Sequence, residues 1–455
     1  MRYFWIAFCL ASSFNRSEAK AADYYTTIRP IIESKCLHCH SGKGVSFAFG
    51  DLDGAYAFRA AMTNAVAQRR MPPWMAAPGV QKYQHDLSLT AEDFAAFAHW
   101  GKANFPLGDK RKYRAQTAPL SVFKSDVSLL VPGSEDFLPE QSARDDYRCF
   151  LAPWPLKTPM YVRGIEVVPG NLRIAHHAIL YVVDEKYATS LRAMDAEEKG
   201  AGYKCFGGPL PDRFGDPTQA AIFEKRFPKS IKEIQEHQFW LAHWAPGMSG
   251  YVLPKDTGML VNPKSMLIVQ MHYYTGFAME QRDPGMKINF QLAKSVLKPA
   301  FNWPLTEQKW LNSTKNNSLI VPPMQSQSVS TEGSLANLDA YLAALSGVPK
   351  DQITGLEVHS ANIHMHLIGA SGEVTLIGPE GSEALLKVPR YEFGWQRDFM
   401  LVKPKIIPKE ALAKWKIRVR CTFTNPNTEP VYGGFGSDQE MCYNFSLISI
   451  SRKAH

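Results

Sequence analysis

Met266-Leu267-Ile268-Val269-Gln270-Met271-His272-Tyr273-Tyr274 has the alternation of a β-strand, in which residues two apart share a face. Leu267, Val269 and Met271 then turn to an apolar side, while Gln270 and His272 stand together on the other. From about residue 118 onward the chain keeps this texture. Ile174 to Val183, Glu373 to Ile377, Lys416 to Phe423 and Met441 to Ile450 are short segments of the same kind, separated by Gly, Pro and Asn. Many short strands with few helices between them predict antiparallel sandwiches or jelly rolls. Short helices are expected at Leu191 to Lys199 and Leu335 to Leu345.

Upstream of this region the pattern changes to helical. Tyr24 to Glu33 is amphipathic, and Thr90 to Asn104 places Phe94, Phe97 and Trp100 at helix spacing. Between them stands Cys36-Leu37-His38-Cys39-His40, the attachment signature of c-type haem. The two thiols would become thioethers and His40 the proximal iron ligand. With 7 Cys and 13 His in 455 residues, chance gives this pattern about 0.003 times per chain, so the spacing is informative. A zinc site would need a second cysteine pair, and no other CxxC occurs. Met71, in Arg70-Met71-Pro72-Pro73-Trp74-Met75, is the expected sixth ligand, with Met62 and Met75 as competitors. Residues 22–117 are therefore expected to form a small all-α cytochrome c domain that carries electrons.

The first residues read as an export signal: Arg2, an apolar run from Tyr3 to about Phe14, and Ala19-Lys20-Ala21 as a cleavage site. The run is too short to span a bilayer, so a periplasmic or secreted protein with no membrane span is expected after cleavage near Ala21. Cleavage would remove Cys9. The haem pair aside, Cys149, Cys205, Cys421 and Cys442 remain, an even number suited to an oxidising compartment, and four cysteines allow three pairings. The net charge of +8 is mild for 455 residues, and no basic cluster interleaved with aromatics argues for nucleic acid.

Histidines within the β region are unevenly spread: His176-His177, His272, and His364-Met365-His366. Composition alone gives an adjacent pair or an HxH about 0.4 times each, so context must carry the argument. Strand parity puts His364 and His366 side by side, with Ile363, Met365 and Leu367 facing away. His176 and His177 should point apart, so both could reach one ion only at a bulge or strand end. Imidazole with a thioether suits copper, and Met441 supplies the thioether. By the same parity Cys442 turns to the opposite face and can bridge to Cys421. His85, His99, His237, His243, His359 and His455 read as structural or surface residues, His243 alone being a candidate for support near a metal.

These motifs together resemble the copper type II, ascorbate-dependent monooxygenases, which include peptidylglycine α-hydroxylating and dopamine β-monooxygenase. His176-His177 resembles the pair at the electron-donating copper, and Gln270-Met271-His272-Tyr273 its third-histidine motif. Ala242-His243-Trp244-Ala245-Pro246-Gly247 resembles the segment between them. His364-Met365-His366 and Glu440-Met441-Cys442 are similar to the motifs of the oxygen-binding copper. The resemblance implies two all-β jelly-roll domains, at 118–301 and 302–455, each supplying one of two copper ions. Cysteine pairing within each domain, Cys149 with Cys205 and Cys421 with Cys442, is then expected.

Departures from the family bear on the substrate. Where peptide-amidating members carry an arginine two residues before HxH, this chain has Asn362, so a glycine-extended peptide is not expected. Gly433 to Gly436 and Tyr443-Asn444-Phe445 are nearer the dopamine type, and Asp184 to Trp240 is longer than usual. The expected function is hydroxylation of a C–H bond of a small organic substrate with dioxygen. In this reading His364, His366 and Met441 hold the catalytic copper, His176, His177 and His272 the donor copper, and the haem passes electrons from a redox protein or an ascorbate-like reductant. The alternative is a copper carrier or electron-transfer protein without hydroxylase activity.

Overall fold

In the computed structural model all nine residues of the strand Met266–Tyr274 are buried, because both of its faces are covered. Leu267, Val269 and Met271 enter one apolar core, and Met266 and Ile268 enter another. Burying each such side chain contributes about 1.5–3 kcal/mol. The structure describes residues 22–40, 48–49, 51, 53–115, 123–198, 200–205, 208–210, 225, 233–234, 238–246, 248, 250–276, 280–311 and 319–452. The expected export signal and most of Asp184 to Trp240 beyond residue 210 lie outside them.

The chain divides into two compact units. One comprises residues 1–41, 48–72 and 87–118, and the other residues 42–47, 73–86 and 119–455. In the first unit the described secondary structure is helical. A run of short turns from Tyr24–Ile28 to Leu37–His40 leads to the helices Arg59–Ala67 and Ala91–Lys102. Thr90 starts the last helix: its hydroxyl accepts from Asp93 N–H at 3.1 Å, while the Asp93 carboxylate accepts from Thr90 N–H at 2.9 Å. Tyr24, Ile28, Ile32, Met62, Val66, Phe97 and Trp100 form its core, with Cys36 and Leu37 packed against it.

The second unit is mostly β-sheet and compatible with β-sandwiches. A five-stranded antiparallel sheet runs in the order Tyr203–Lys204, Asp145–Pro153, Met266–Tyr274, Ala175–Val183, Phe239–Trp244. It shares a core with the near half of a nine-stranded sheet through Phe150, Leu180 and Val269 on one side and Val162, Ile165 and Phe290 on the other. The far half of that long sheet faces a four-stranded sheet of Ser326–Ser334, Lys416–Thr424, Gly369–Gly378 and Gly381–Val388. Val358, Ile407 and Ile448 meet Val374, Ile417 and Phe423 there.

The two halves join within a single strand, Lys298–Leu305. It pairs in parallel with Thr257–Val261 on one edge and antiparallel with Asn444–Arg452 on the other, so the position expected to separate two domains, 301/302, falls inside a shared sheet. Met75, a competitor for an iron in the sequence reading, packs in the core of the second unit, where its sulfur accepts from Glu392 N–H at 3.2 Å. Disulfides join Cys149 to Cys205 and Cys421 to Cys442, as expected. No helix among the described residues is long and apolar enough to cross a membrane.

Candidate metal centre

Adjacent strand residues point to opposite faces, yet His176 and His177 converge. The pairing of Ala175–Val183 with Met266–Tyr274 slips between Ala175 and His177, and this bulge swings both imidazoles to the same side. Their Nδ1 atoms lie 3.2 Å apart, and His272 Nδ1 lies 3.3 Å from His177 Nδ1. One ligand atom from each ring falls within 4.8 Å of the others.

What surrounds these rings prepares them for a metal. Asp145 accepts from His272 Nε2 at 2.7 Å, which leaves the Nδ1 lone pair turned toward the other two histidines. Burial would raise the Asp145 carboxyl, but its hydrogen bonds and its attraction to His272 outweigh this and hold it below the usual value. Tyr147 lies opposite His272 in the neighbouring strand and stacks on its ring at 4.0 Å. Burial, then the neighbouring imidazoles, drive the His176 and His177 pKa values well below the ordinary one, so both rings are neutral. His176 Nε2 is buried without a protein partner. Neutral, convergent nitrogens and an orphaned buried ring atom fit a bound metal ion.

The second set is built at a strand end. Beyond Ile353–Ala361 the chain stays extended, and His364 exchanges two backbone hydrogen bonds with Tyr443, at 2.9 and 3.0 Å. His364 and His366 stand side by side with ring centres 5.2 Å apart, while Ile363 and Met365 turn into the core. The parity stops there: Leu367 lies in a turn and is exposed, because the strand geometry ends at His366. Gln396 bonds His364 Nδ1 through its amide oxygen, and the Gln439 carbonyl bonds His366 Nδ1 at 3.1 Å. Burial pushes the two rings down to about 4 and about 3, so they too are neutral.

Glu440 ties this segment together. Its buried carboxyl accepts from the N–H groups of His366, Ile368 and Met441 at 2.9, 2.8 and 3.3 Å. Met441 lines the same cavity as His364 and His366, and the next residue is pinned through the Cys421–Cys442 disulfide. The donor set of two imidazoles and a thioether fits copper.

The two sets abut. The His177 and His364 rings are 5.9 Å apart, and Phe393 stacks on His176 at 4.3 Å and stands edge-on to His366, ring centres 6.2 Å apart. A cavity opens beside them, walled largely by aromatic rings. Residues 323–448 match the family profile "Copper type II ascorbate-dependent monooxygenase, C-terminal domain". That match spans the second set and the part of the cavity wall that runs from Asn362 to Phe445. A dopamine beta-hydroxylase of Canis lupus familiaris is 24% identical over 221 residues, which cover 47% of this chain and 32% of that protein. The chain thus matches about a third of the length of that relative. Solved structures align only loosely. One titled "Structure of PNGF-II in C2 space group" has a TM-score of 0.26 at 10% identity, covering 73% of this chain and 64% of that one. One titled "Structure of infectious bursal disease virus Gx strain" has a TM-score of 0.18 at 10% identity, covering 70% and 59%.

Sequence reasoning named the six side chains that gather here and missed their supports. Tyr147 could have been found from its register opposite His272, and Asp145 from its place two residues along the same strand, opposite Tyr274, once the strands were paired. Gln396, Phe393 and Asp398 lie in an irregular segment that carries no periodic signal. His243, the one histidine outside the two sets read as a candidate for support near a metal, lines the cavity, and His359 is buried against Ser449 at 2.7 Å.

Proposed function

We propose that this chain is a member of the copper type II, ascorbate-dependent monooxygenases and hydroxylates a C–H bond of a small organic substrate with dioxygen. The supporting observation is the meeting of five histidines and Met441 from two β-sandwiches beside one apolar cavity. His176, His177 and His272 would hold one copper, and His364, His366 and Met441 the other. Bound there, copper supplies one-electron redox chemistry and a Lewis-acidic site for dioxygen.

The protein's own part is positional. Asp145 fixes the His272 tautomer, Gln396 orients His364, and Glu440 holds the backbone of His366 and Met441 in one frame. The close approach of His177 and His364 shortens any path for an electron between the two sets. The aromatic walls keep water from the reacting carbon. Incubation with a reductant, labelled dioxygen and a substrate screen tests the reading: a product carrying one labelled oxygen supports it. Consumption of no dioxygen and formation of no peroxide by copper-loaded, reduced protein would instead make it a carrier.

The first unit would supply electrons. Cys36 and Cys39 are outside any disulfide, and His40 is buried with its ring stacked on Phe49 at 4.4 Å. These residues would hold a haem c, with Met71 as the sixth ligand; Met71 is half-buried in this unit. Export and a cleaved signal ending near Ala21 belong to the same reading, which the two disulfides support. Met71→Ala should slow copper reduction by a donor protein and spare copper binding. Unchanged reduction kinetics would remove the haem from the pathway.

A further inference from the structure

Between Trp74 and Gln84 the chain forms an irregular strap across the edges of the sandwich that carries the cavity set. The strap belongs to the second unit, although residues 48–72 and 87–118 on either side of it belong to the first, and it lies outside the span matched by the family profile. On one side it meets Phe399–Pro408, the end strand of the nine-stranded sheet. Gln84 N–H donates to the Met400 carbonyl at 2.8 Å, and Val402 N–H donates to the Lys82 carbonyl at 2.9 Å. On the other side it meets Gly381–Val388, the edge strand of the four-stranded sheet. There Ala77 N–H donates to the Lys387 carbonyl at 2.8 Å, and the Tyr83 hydroxyl donates to the Leu385 carbonyl at 2.9 Å. The strap thus ties together two edges that would otherwise present unpaired backbone.

The loop 389–398 crosses from one of these edge strands to the other, and it carries supports of both histidine sets. Phe393 stacks on His176, and the Gln396 amide oxygen bonds His364 Nδ1. This loop has no strand or helix ladder of its own, so side-chain seats must hold it. The strap supplies two of them. The Arg397 guanidinium lies over the Trp74 indole, 4.8 Å from the ring centre, and Phe399 meets the same indole edge-on at 5.2 Å. Met75 is buried in the core, and its sulfur accepts from Glu392 N–H. Glu392 immediately precedes Phe393, and Arg397 immediately follows Gln396. The strap therefore grips the loop on both sides of the two residues that touch the histidine rings.

We propose that Trp74 and Met75 are positioning residues of the two histidine sets: by gripping the loop at Arg397 and Glu392, they hold Gln396 against His364 and Phe393 against His176. This role rests on the monooxygenase reading for what the two sets bind. Because one loop serves both sets, releasing it disturbs both. Damage at the far end of the strap costs stability and leaves the rings in place. Partners beyond the ligands orient them and tune metal affinity, so the grip is readable at the metal.

Amide exchange of the metal-free full-length protein, and Cu(II) titration followed by electron paramagnetic resonance, test it. Trp74→Ala should speed exchange in residues 391–398 ~10-fold and weaken Cu(II) binding ~10-fold, with an altered hyperfine pattern. Trp74→Phe keeps a ring beneath Arg397 and should bring both back to within ~3-fold of the native protein. Tyr83→Phe removes only the hydrogen bond to Leu385; it should lower the denaturant midpoint and leave loop exchange, copper affinity and spectrum native. Native loop exchange in Trp74→Ala, native copper binding and spectrum in that variant, or equal weakening of copper by Tyr83→Phe would overturn the proposal. Where Trp74→Ala does not fold, the native protein decides: coupling is reciprocal, so Cu(II) should slow exchange across residues 74–84, and unchanged exchange there would overturn it. A native protein that binds no Cu(II), with the loop still loosened in Trp74→Ala, would uphold the grip and overturn the copper reading alone.

Discussion

The two histidine sets solve the same problem by different means. The first is set within the body of one sheet: three rings from adjacent strands, gathered by a bulge, with ring nitrogens in mutual reach. The second stands where a strand has ended, held by a backbone bridge to Tyr443 and the Glu440 clamp, and it faces a cavity. A site that only passes electrons gains from an all-nitrogen set fixed in a sheet. A site that meets substrate needs an open side, and a soft thioether favours the reduced metal. On the proposed reading the contrast gives separate duties to two clusters whose rings approach within 5.9 Å.

The largest effect expected is on the cavity set. His366→Ala should remove one of two copper ions per chain and lower product formation ~10³-fold, about 4 kcal/mol at the barrier. The 176/177/272 set should keep its metal, as measured by copper analysis and Cu(II) resonance. Loss of both ions would mean that the sets do not form independently.

Glu440→Ala strips three backbone N–H groups of their acceptor in a buried setting and should cost about 3–4 kcal/mol, read from the denaturant midpoint. A change under about 1 kcal/mol would show that the clamp is dispensable.

The strand that leads to the cavity set also carries a pH-sensitive residue. Burial lowers His359 to about 4, and the ordinary histidine value is 6.5. As pH falls through 6.5 the unfolded chain takes up the proton first, so stability is lost between 6.5 and about 4 and levels off below. One such group is worth about 3 kcal/mol over that window. His359→Asn should flatten the slope of unfolding free energy against pH there. An unchanged slope would place the dependence on other groups.

The smallest effect belongs to the sheet-borne set. Asp145→Asn keeps the shape but weakens the hold on His272 Nε2, and copper affinity at that set should drop ~10–100-fold. The cavity set should be untouched. A matching drop at both would erase the distinction between them.

Much of this was readable in the sequence, for a physical reason: strand parity is strict. The alternation in Met266–Tyr274 placed Leu267, Val269 and Met271 in the core and His272 opposite them, and the structure agrees. Parity alone sets His176 and His177 apart and allows them to converge only at a bulge or strand end; the bulge is there, but it leaves no compositional trace by which the sequence could have located it. It also ran one residue too far at Leu367, where a turn begins. The supports from Asp145, Gln396 and Asp398 depend on pairings between distant segments, which no local pattern encodes. The strand Lys298–Leu305 is another case, since its role in joining the halves appears only once both of its neighbours are known.

Stepwise loading with Cu(II), followed by electron paramagnetic resonance, tests the central claim most directly. Two neighbouring and unlike centres predict saturation at two equivalents per chain, with a spectrum broadened by coupling between the ions. His272→Ala and His366→Ala should each restore a narrow single-ion signal with different parameters. Saturation at one equivalent, or two identical uncoupled signals, would contradict the account.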